Sequence, residues 1–279
     1  MAKIESLDEQ KTLTTAHEDY LKAVYLLRSQ GKDVTNSALS SHLAVSPASA
    51  TNMVKKLADL RLVEYEPYQS ILLTEAGERV ALEVLRHHRL LELYLHQELK
   101  LPWDQVNAEA ERLEHVISEA LEDAISIALG DPLVDPHGDP IPSKKGQIEK
   151  VTGLPLSSAQ LDQQYRLVRV LVQDEERLRY LGTLGLYPNV CITLLEQAPF
   201  NGPLLIDVDG ELQMAFFGDT LIAIGKAKES ISGFAELYSG NRPDLSQNST
   251  YQKFGAREGT VTLLAAADGF DQLGNLPQA

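Results

Sequence analysis

The feature that most restricts this chain is a change of hydrophobic period partway along it. Up to Gly130 the apolar residues recur at helical spacing; from Tyr165 they gather into five short β-prone runs, YRLVRVLV, VCITLLEQ, PLLIDV, ELQMAFF and LIAIGKA. Elements of period 3.6 and of period 2 bury different faces, so one uniform layer cannot serve both. The expected fold is α+β and multidomain. With 279 residues and roughly 100 to 200 per domain, two or three compact units are expected. The change falls in DPLVDPHGDPIP, dense in Pro, Gly and Asp, which reads as a rigid loop. Boundaries are therefore placed at 1–76, 77–142, a linker over 143–160, a strand-rich small barrel over 161–236 and a tail over 237–279, where little order is expected.

The first unit has an informative order of elements. A helix from about His17 to Ser29 stops at Gly31, a second runs near Asn36 to Leu43 with Thr35 as N-cap, and a third starts at Ser46 with Pro47 in its first turn. Only Ala44, Val45 and Ser46 lie between the last two. Helix, tight turn, helix is the helix-turn-helix arrangement, and LVEYEP and SILLTEAG, joined by Pro67 to Ser70, read as a hairpin behind it. Together they predict a winged helix.

Charge limits where such a unit can meet nucleic acid. The formal net charge is −15, a field that repels polyanions. Between Val34 and Val63, however, the charges are Lys55, Lys56 and Arg61 against Asp59 alone, a local positive patch. The single Cys191 excludes an intrachain disulfide and a cysteine-rich zinc cluster; it reads as a small buried hydrophobe in a reducing cytoplasm. No apolar run approaches the roughly 18 residues that span a bilayer, and MAKIESLDEQKTLTT is too polar for a secretory signal. A soluble, cytoplasmic chain with no membrane partner is expected.

Chemistry concentrates in the middle of the chain. A long helix from Glu75 to about His96 is broken at Leu101, Pro102 and Trp103, and Asp104 is expected to cap one further helix to about Leu129. On that helix Glu111, Glu114 and His115 stand at i, i+3 and i+4, an arc of roughly 100° that lets all three converge. His88 and Glu92, i and i+4 on the long helix, would face them across an antiparallel pair. His87 is turned away by about 100° and reads as a surface histidine. Asp19 on the first helix can add an oxygen. Carboxylates with imidazole form a divalent-metal site; the plain alternative is a solvated acidic face.

With TTAHEDYLKAVYLL, the helix-turn-helix, LTEAGERVALEVLRHHRLLELYL, EAERLEHVISEALED and DPHGDPIP, the chain resembles the diphtheria toxin repressor family of metal-dependent transcriptional regulators, in particular its manganese-responsive branch. ERLRYLGTLGLYPN and LEQAPFNGPLLIDVDG are similar to the SH3-like, ferrous-iron-transport A type domain that some members add. The resemblance implies an N-terminal winged helix-turn-helix, an α-helical dimerisation domain and a C-terminal SH3-like small β-barrel. It places a primary metal site on Asp19, Glu111, Glu114 and His115, with His88 close by. Lys22 stands where the short, SH3-less manganese type often has a carboxylate. A second site of the longer type falls on Glu92, Asp135 and His137 with an acidic residue from the SH3-like domain, for which Asp174 is chosen and Glu175 and Glu176 are alternatives.

The resemblance puts DNA contacts on Ser46, Pro47, Ala48, Ser49, Thr51 and Asn52. Hydroxyls and a helix N-terminus suit phosphate, Asn52 suits a base edge and Ala48 a thymine methyl; Lys55 and Lys56 add phosphate attraction. The expectation is a homodimeric repressor with Mn(II) as corepressor on a palindromic double-stranded operator. A Fe(II) regulator of the same fold is the alternative. A metallohydrolase is a more distant one, because the chain has no nucleophile elbow, phosphate loop or H-E-x-x-H motif.

Overall fold

Local capping sets the N-terminal elements. The Thr35 hydroxyl accepts from the Ala38 amide and the Ser46 hydroxyl from the Ser49 amide, both at 3.1 Å, which starts α2 (Asn36–His42) and α3 (Pro47–Asp59) behind α1 (Thr15–Ser29). Wing strands β1 (Val63–Glu64) and β2 (Leu72–Leu73) pair antiparallel. Leu21, Leu39, Val54, Leu57 and Ile71 are fully buried among these elements, each contributing about 1.5–3 kcal/mol of burial. The structure, a computed structural model, describes residues 13–67, 69–149, 153–199, 202–215 and 222–226, all within the compact unit that ends at Gly240. The expected tail over 237–279, residues 1–12 and the ends of the last two β-prone runs lie outside the described residues.

Thr74 caps α4 (Glu75–Gln97), and Gly77 in its first turn lies under the wing. A Cβ there would stand 2.0 Å from the Leu62 carbonyl oxygen, which is backbone and cannot turn aside. Gly77→Ala is expected to cost about 1–3 kcal/mol, as overpacking does. A thermal midpoint unchanged from wild type would show that helix and wing separate freely.

The single helix expected from Asp104 to Leu129 is two helices. α5 spans Val106–Leu113 and α6 spans Glu119–Ala128. Ser118 restarts the helix by accepting from the Leu121 amide, and the Glu114 carbonyl, released from helical pairing, receives His87 Nδ1 at 3.1 Å. Asp104 does not cap α5; Gln105 holds that position, and Asp104 instead accepts from Arg179 Nε at 3.1 Å. α4 packs on α1, α5 and α6, around Leu90, Leu91, Leu93, Ala110, Ile125 and Ile141.

The strand-rich part is a six-stranded antiparallel sheet in the order β3-β8-β4-β5-β6-β7. Its strands are β3 (Leu154–Pro155), β4 (Gln164–Val170), β5 (Cys191–Gln197), β6 (Leu204–Val208), β7 (Glu211–Ala215) and β8 (Ile222–Lys226), with α7 (Glu175–Thr183) between β4 and β5. β3 is one strand more than expected. Cys191 is half-buried rather than buried. Trp103, from the α4–α5 connection, enters this core and packs on Tyr187 at 4.8 Å between ring centroids. The 131–142 loop docks on the same sheet, the Val170 amide donating to the His137 carbonyl at 2.8 Å. Gly138 makes that approach possible: its φ is +86° and a Cβ would lie 2.2 Å from the Val168 carbonyl oxygen.

Candidate metal centre

Two groups of ligand-type side chains lie in the helical interior, one on each side of His88. In the first, His115 Nδ1 contacts Glu18 Oε2 at 2.6 Å, which turns Nε2 toward Asp19 Oδ1 at 2.8 Å and Glu114 Oε1 at 3.2 Å. Asp19, Glu114 and His115 therefore offer one donor each to a common point. A carboxylate on the far ring nitrogen is the arrangement that orients a metal-binding imidazole. Glu18, next to Asp19 in sequence, supplies it, and sequence reasoning missed it. Burial raises the Asp19 carboxyl above its usual range, against the pull of His115.

Glu111 and Glu114 share a cation from the chain itself. Lys22, only 6% exposed, donates to Glu111 Oε1 at 2.8 Å and to Glu114 Oε1 at 2.6 Å. Burial opposes its charge, yet Glu114 and Glu111 hold the ammonium above its ordinary value. The residue noted in the sequence only as a departure from a carboxylate thus bridges two expected ligands. Glu111 is otherwise half-exposed, and with His88 and Glu114 it forms an overlapping three-donor group.

His88 joins the two groups. Its Nδ1 donates to Glu114 Oε2 at 2.6 Å and its Nε2 lies 3.4 Å from Glu92 Oε1. Burial disfavours its charge, but Glu92 and Glu114 raise its pKa to about 10. Glu92, 1% exposed, is held well below the usual carboxylate range by His88 and His137 in spite of burial.

The second group is Glu92, Asp135 and His137, all buried, with donors close enough to share one ion. Because a carbonyl can only accept, His137 Nε2 donates to the Trp103 carbonyl at 2.9 Å, which turns Nδ1 toward Glu92 Oε1, 3.7 Å away, as the nitrogen that would meet an ion once its proton is lost. Trp103 also stacks on the imidazole. Asp135 Oδ1 receives the His137 and Asp139 amides. His137 Nδ1, Glu92 Oε1 and Asp135 Oδ2 are buried without a hydrogen-bond partner. Such partnerless buried polar atoms, within reach of one common ion, fit a bound cation. Burial, Asp139 and Glu92 push Asp135 up to about 8, and Glu92 and Asp135 raise His137 to about 9 against burial.

In the second group Asp135 and His137 hold their protons at neutral pH, whereas ligands bind metal deprotonated. Metal uptake here should release about two protons per ion near pH 7, from Asp135 and His137, and tighten as pH rises through 8 and 9. Calorimetry in buffers of different ionisation enthalpy measures this; a heat independent of buffer would contradict it.

The remaining expected site residues fall as follows. The Asp174 carboxylate accepts the Arg177 amide as N-cap of α7, and the structure does not bring it into the Glu92 group. The acid that does adjoin that group is Asp139, whose partners are Arg89 on α4, Arg169 on β4 and Gln173. His87, expected on the surface, is buried, its Nδ1 against the Glu114 carbonyl at the end of α5 and its Nε2 facing Glu122 on α6. Ser46, Pro47, Ala48, Ser49, Asn52, Lys55 and Lys56 line the exposed face of α3, and half-buried Thr51 donates to the Pro47 carbonyl. Among the described residues no helix is long and apolar enough to cross a membrane.

A winged helix joined to a helical unit with buried carboxylate–imidazole groups defines a metal-responsive DNA-binding regulator. Known proteins agree. Residues 12–71 match the iron dependent repressor N-terminal DNA binding domain, 74–143 the iron dependent repressor metal binding and dimerisation domain, and 154–227 the FeoA domain. The iron-dependent repressor IdeR of Mycobacterium tuberculosis is 28% identical over 206 residues, covering 70% of this chain and 89% of that protein. The regulator MntR of Bacillus subtilis is 30% identical over 105 residues, covering 38% of this chain and 73% of its own. A solved manganese-dependent transcriptional repressor in complex with manganese superposes with a TM-score of 0.68 at 31% identity, covering 75% of this chain and 99% of the other. The chain belongs to the diphtheria toxin repressor family of metal-dependent transcriptional repressors.

Proposed function

We propose that this chain is a cytoplasmic, homodimeric, Mn(II)-dependent repressor of manganese-uptake genes, acting at a palindromic operator. The observation that carries the metal assignment is the donor set. Asp19, Glu111, Glu114, His115, His88, Glu92, Asp135 and His137 offer oxygen and nitrogen only, a set that suits Mn(II) and lacks the soft sulfur that favours other ions. The manganese-bound repressor of similar fold supports the reading. Fe(II) is the second reading, since hard donors accept it and the similarity to IdeR extends over most of the chain.

A divalent ion, when bound, supplies a compact double charge for these carboxylates. Asp19 and Lys22 lie on α1, beside the recognition unit, whereas Glu111, Glu114 and His115 lie on and just after α5. Ligands drawn from both fix the winged helix against the helical unit and select the spacing of two recognition helices across successive major grooves. Leu113, Val116, Leu121 and Ile127 are exposed on α5, α6 and the turn between them, an apolar surface suited to a second copy. Linkage requires DNA to tighten metal as much as metal tightens DNA.

Titrating operator binding against Mn(II), Fe(II) and Zn(II), with a chelator control, tests this. Equal binding with chelator would remove the metal dependence, and activation by Fe(II) at lower free concentration than Mn(II) would transfer the assignment to iron. Within α3, Asn52→Ala should lose about 1 to 3 kcal/mol of discrimination at one base pair. Lys55→Ala should weaken all DNA alike and flatten the salt slope. The same sequence-independent loss from both would cancel the division of roles.

A further inference from the structure

Outside both groups lies a third, between α4 and α6. Glu83 and His87 are one turn apart on α4; Glu119 and Glu122 are i and i+3 on α6. A ring nitrogen of His87 and carboxylate oxygens of Glu83 and Glu119 lie within 4.8 Å of one another, and Glu122 Oε2 is 3.4 Å from His87 Nε2.

An acidic surface cluster alone would mean nothing, but His87 adds an independent observation. It is 7% exposed, and its Nε2 is buried with no hydrogen-bond partner. Its ring is set from the other side: Nδ1 meets the Glu114 carbonyl at 3.1 Å and must donate to it, which aims Nε2 into the carboxylates. An imidazole held by a carbonyl behind, with carboxylates in front, has the outer support that metal-binding histidines use. Burial, opposed by His87 and reinforced by Glu119, Glu18 and Glu122, raises the Glu83 carboxyl, as a surplus of negative charge requires.

Two cations of the chain border the cluster without filling it. Arg86 Nε pairs with Glu122 Oε1 and is tied by its other nitrogens to the Pro142 carbonyl and the Ser126 hydroxyl. Lys144 lies at the mouth, 3.5 Å from Glu119 and 4.0 Å from Glu122, and pairs with Asp123. Its side chain is 43% exposed, so it can swing into solvent.

We infer that His87, Glu83 and Glu119, with Glu122 beside them, form a further divalent-cation site, taking a borderline ion such as Zn(II) on one nitrogen and two or three carboxylate oxygens. Zn(II) suits this set because it accepts low coordination and mixed N/O donors. A cation there braces the Glu114 carbonyl through His87, and so the turn that carries Glu114 and His115. That link to the primary ligands rests on the regulator reading above; occupancy itself does not.

The test is anomalous diffraction at the zinc edge from crystals of the full-length chain grown with Zn(II). The expected result is a peak about 2.1 Å from His87 Nε2, facing Glu83 and Glu119. In solution, Zn(II) bound per chain should fall by one equivalent in His87→Ala. It should fall equally in Glu83→Gln with Glu119→Gln, both exposed positions whose change spares the fold. Lys144→Ala should instead bind Zn(II) about two- to five-fold tighter at this site, the effect of removing one exposed competing charge. Peaks at the Asp19–His115 and Glu92–His137 groups with none at His87 would overturn the inference and leave the regulator reading standing. A peak at His87 with none at the other two would uphold this site and sink that reading. An unchanged stoichiometry in the double glutamine variant would also overturn it.

Discussion

Glu114→Gln is expected to abolish metal-dependent operator binding and to destabilise the metal-free fold by about 3–5 kcal/mol, the cost of removing one partner from buried ion pairs. The Glu114 side chain is fully buried and meets Lys22 from α1, His88 from α4 and His115 from its own turn. Lys22 and His88 hold its carboxyl below the usual range despite burial. The amide keeps the shape and loses the charge, leaving a buried ammonium with Glu111 as its carboxylate and a buried imidazole with Glu92. Glu111→Gln, at a half-exposed position, should cost less than about 1 kcal/mol of fold stability. Urea denaturation of the metal-free chain and gel shifts with Mn(II) measure both. Equal stability losses from the two substitutions would mean that Glu114 does not organise the interior.

Gly138→Ala should have the second large effect. Its φ of +86° is costly for any side chain, and the added carbon would meet the Val168 carbonyl and the Arg169 Cα, neither of which can rotate away. The 131–142 loop must then leave β4, breaking the bond from the Val170 amide to the His137 carbonyl. The Asp135–His137 geometry goes with it. Loss of more than about tenfold in metal affinity at the Glu92 group is expected, in line with lost outer support, together with faster proteolysis within 143–160. Calorimetry resolving both groups should show the Asp19–His115 affinity retained. A variant that binds at both groups like wild type would refute the clamp.

The elements that could be read from sequence are those fixed by neighbours in sequence. Thr35, Ser46, Pro47 and Asp174 announce helix starts through one-turn contacts, and alternation marks β4 to β8. The break after Leu113 is masked by apolar spacing that continues through Val116 and Ile117, although Ser118 is itself a one-turn cap. Its cost is met when His87 takes the freed Glu114 carbonyl. His87 was misplaced for a related reason: a helical wheel gives its angle from His88 but not that α6 covers that flank. Asp19, Glu114 and His115, which the structure brings together, could be singled out because residue type and spacing carry the chemistry. The Asp135–His137 pair came from resemblance, since nothing in a Pro-rich loop states that its carboxylate and imidazole turn inward. The ties of Lys22 and Asp139 depend on partners 89 and 30 or more residues away respectively, beyond any local pattern.

Lys22 has one more consequence. An interior lined with carboxylates would ordinarily spring apart once its ion is withdrawn, and a sensor built that way would melt each time the signal faded. Here the chain carries its own monovalent placeholder, already seated between Glu111 and Glu114. A divalent ion drawn to these carboxylates would have to displace that ammonium, so its binding would be an exchange of one cation for another rather than the filling of bare acids. A monovalent ion would bring these two carboxylates no more charge than Lys22 already does. Only a visitor with charge to spare can evict the occupant.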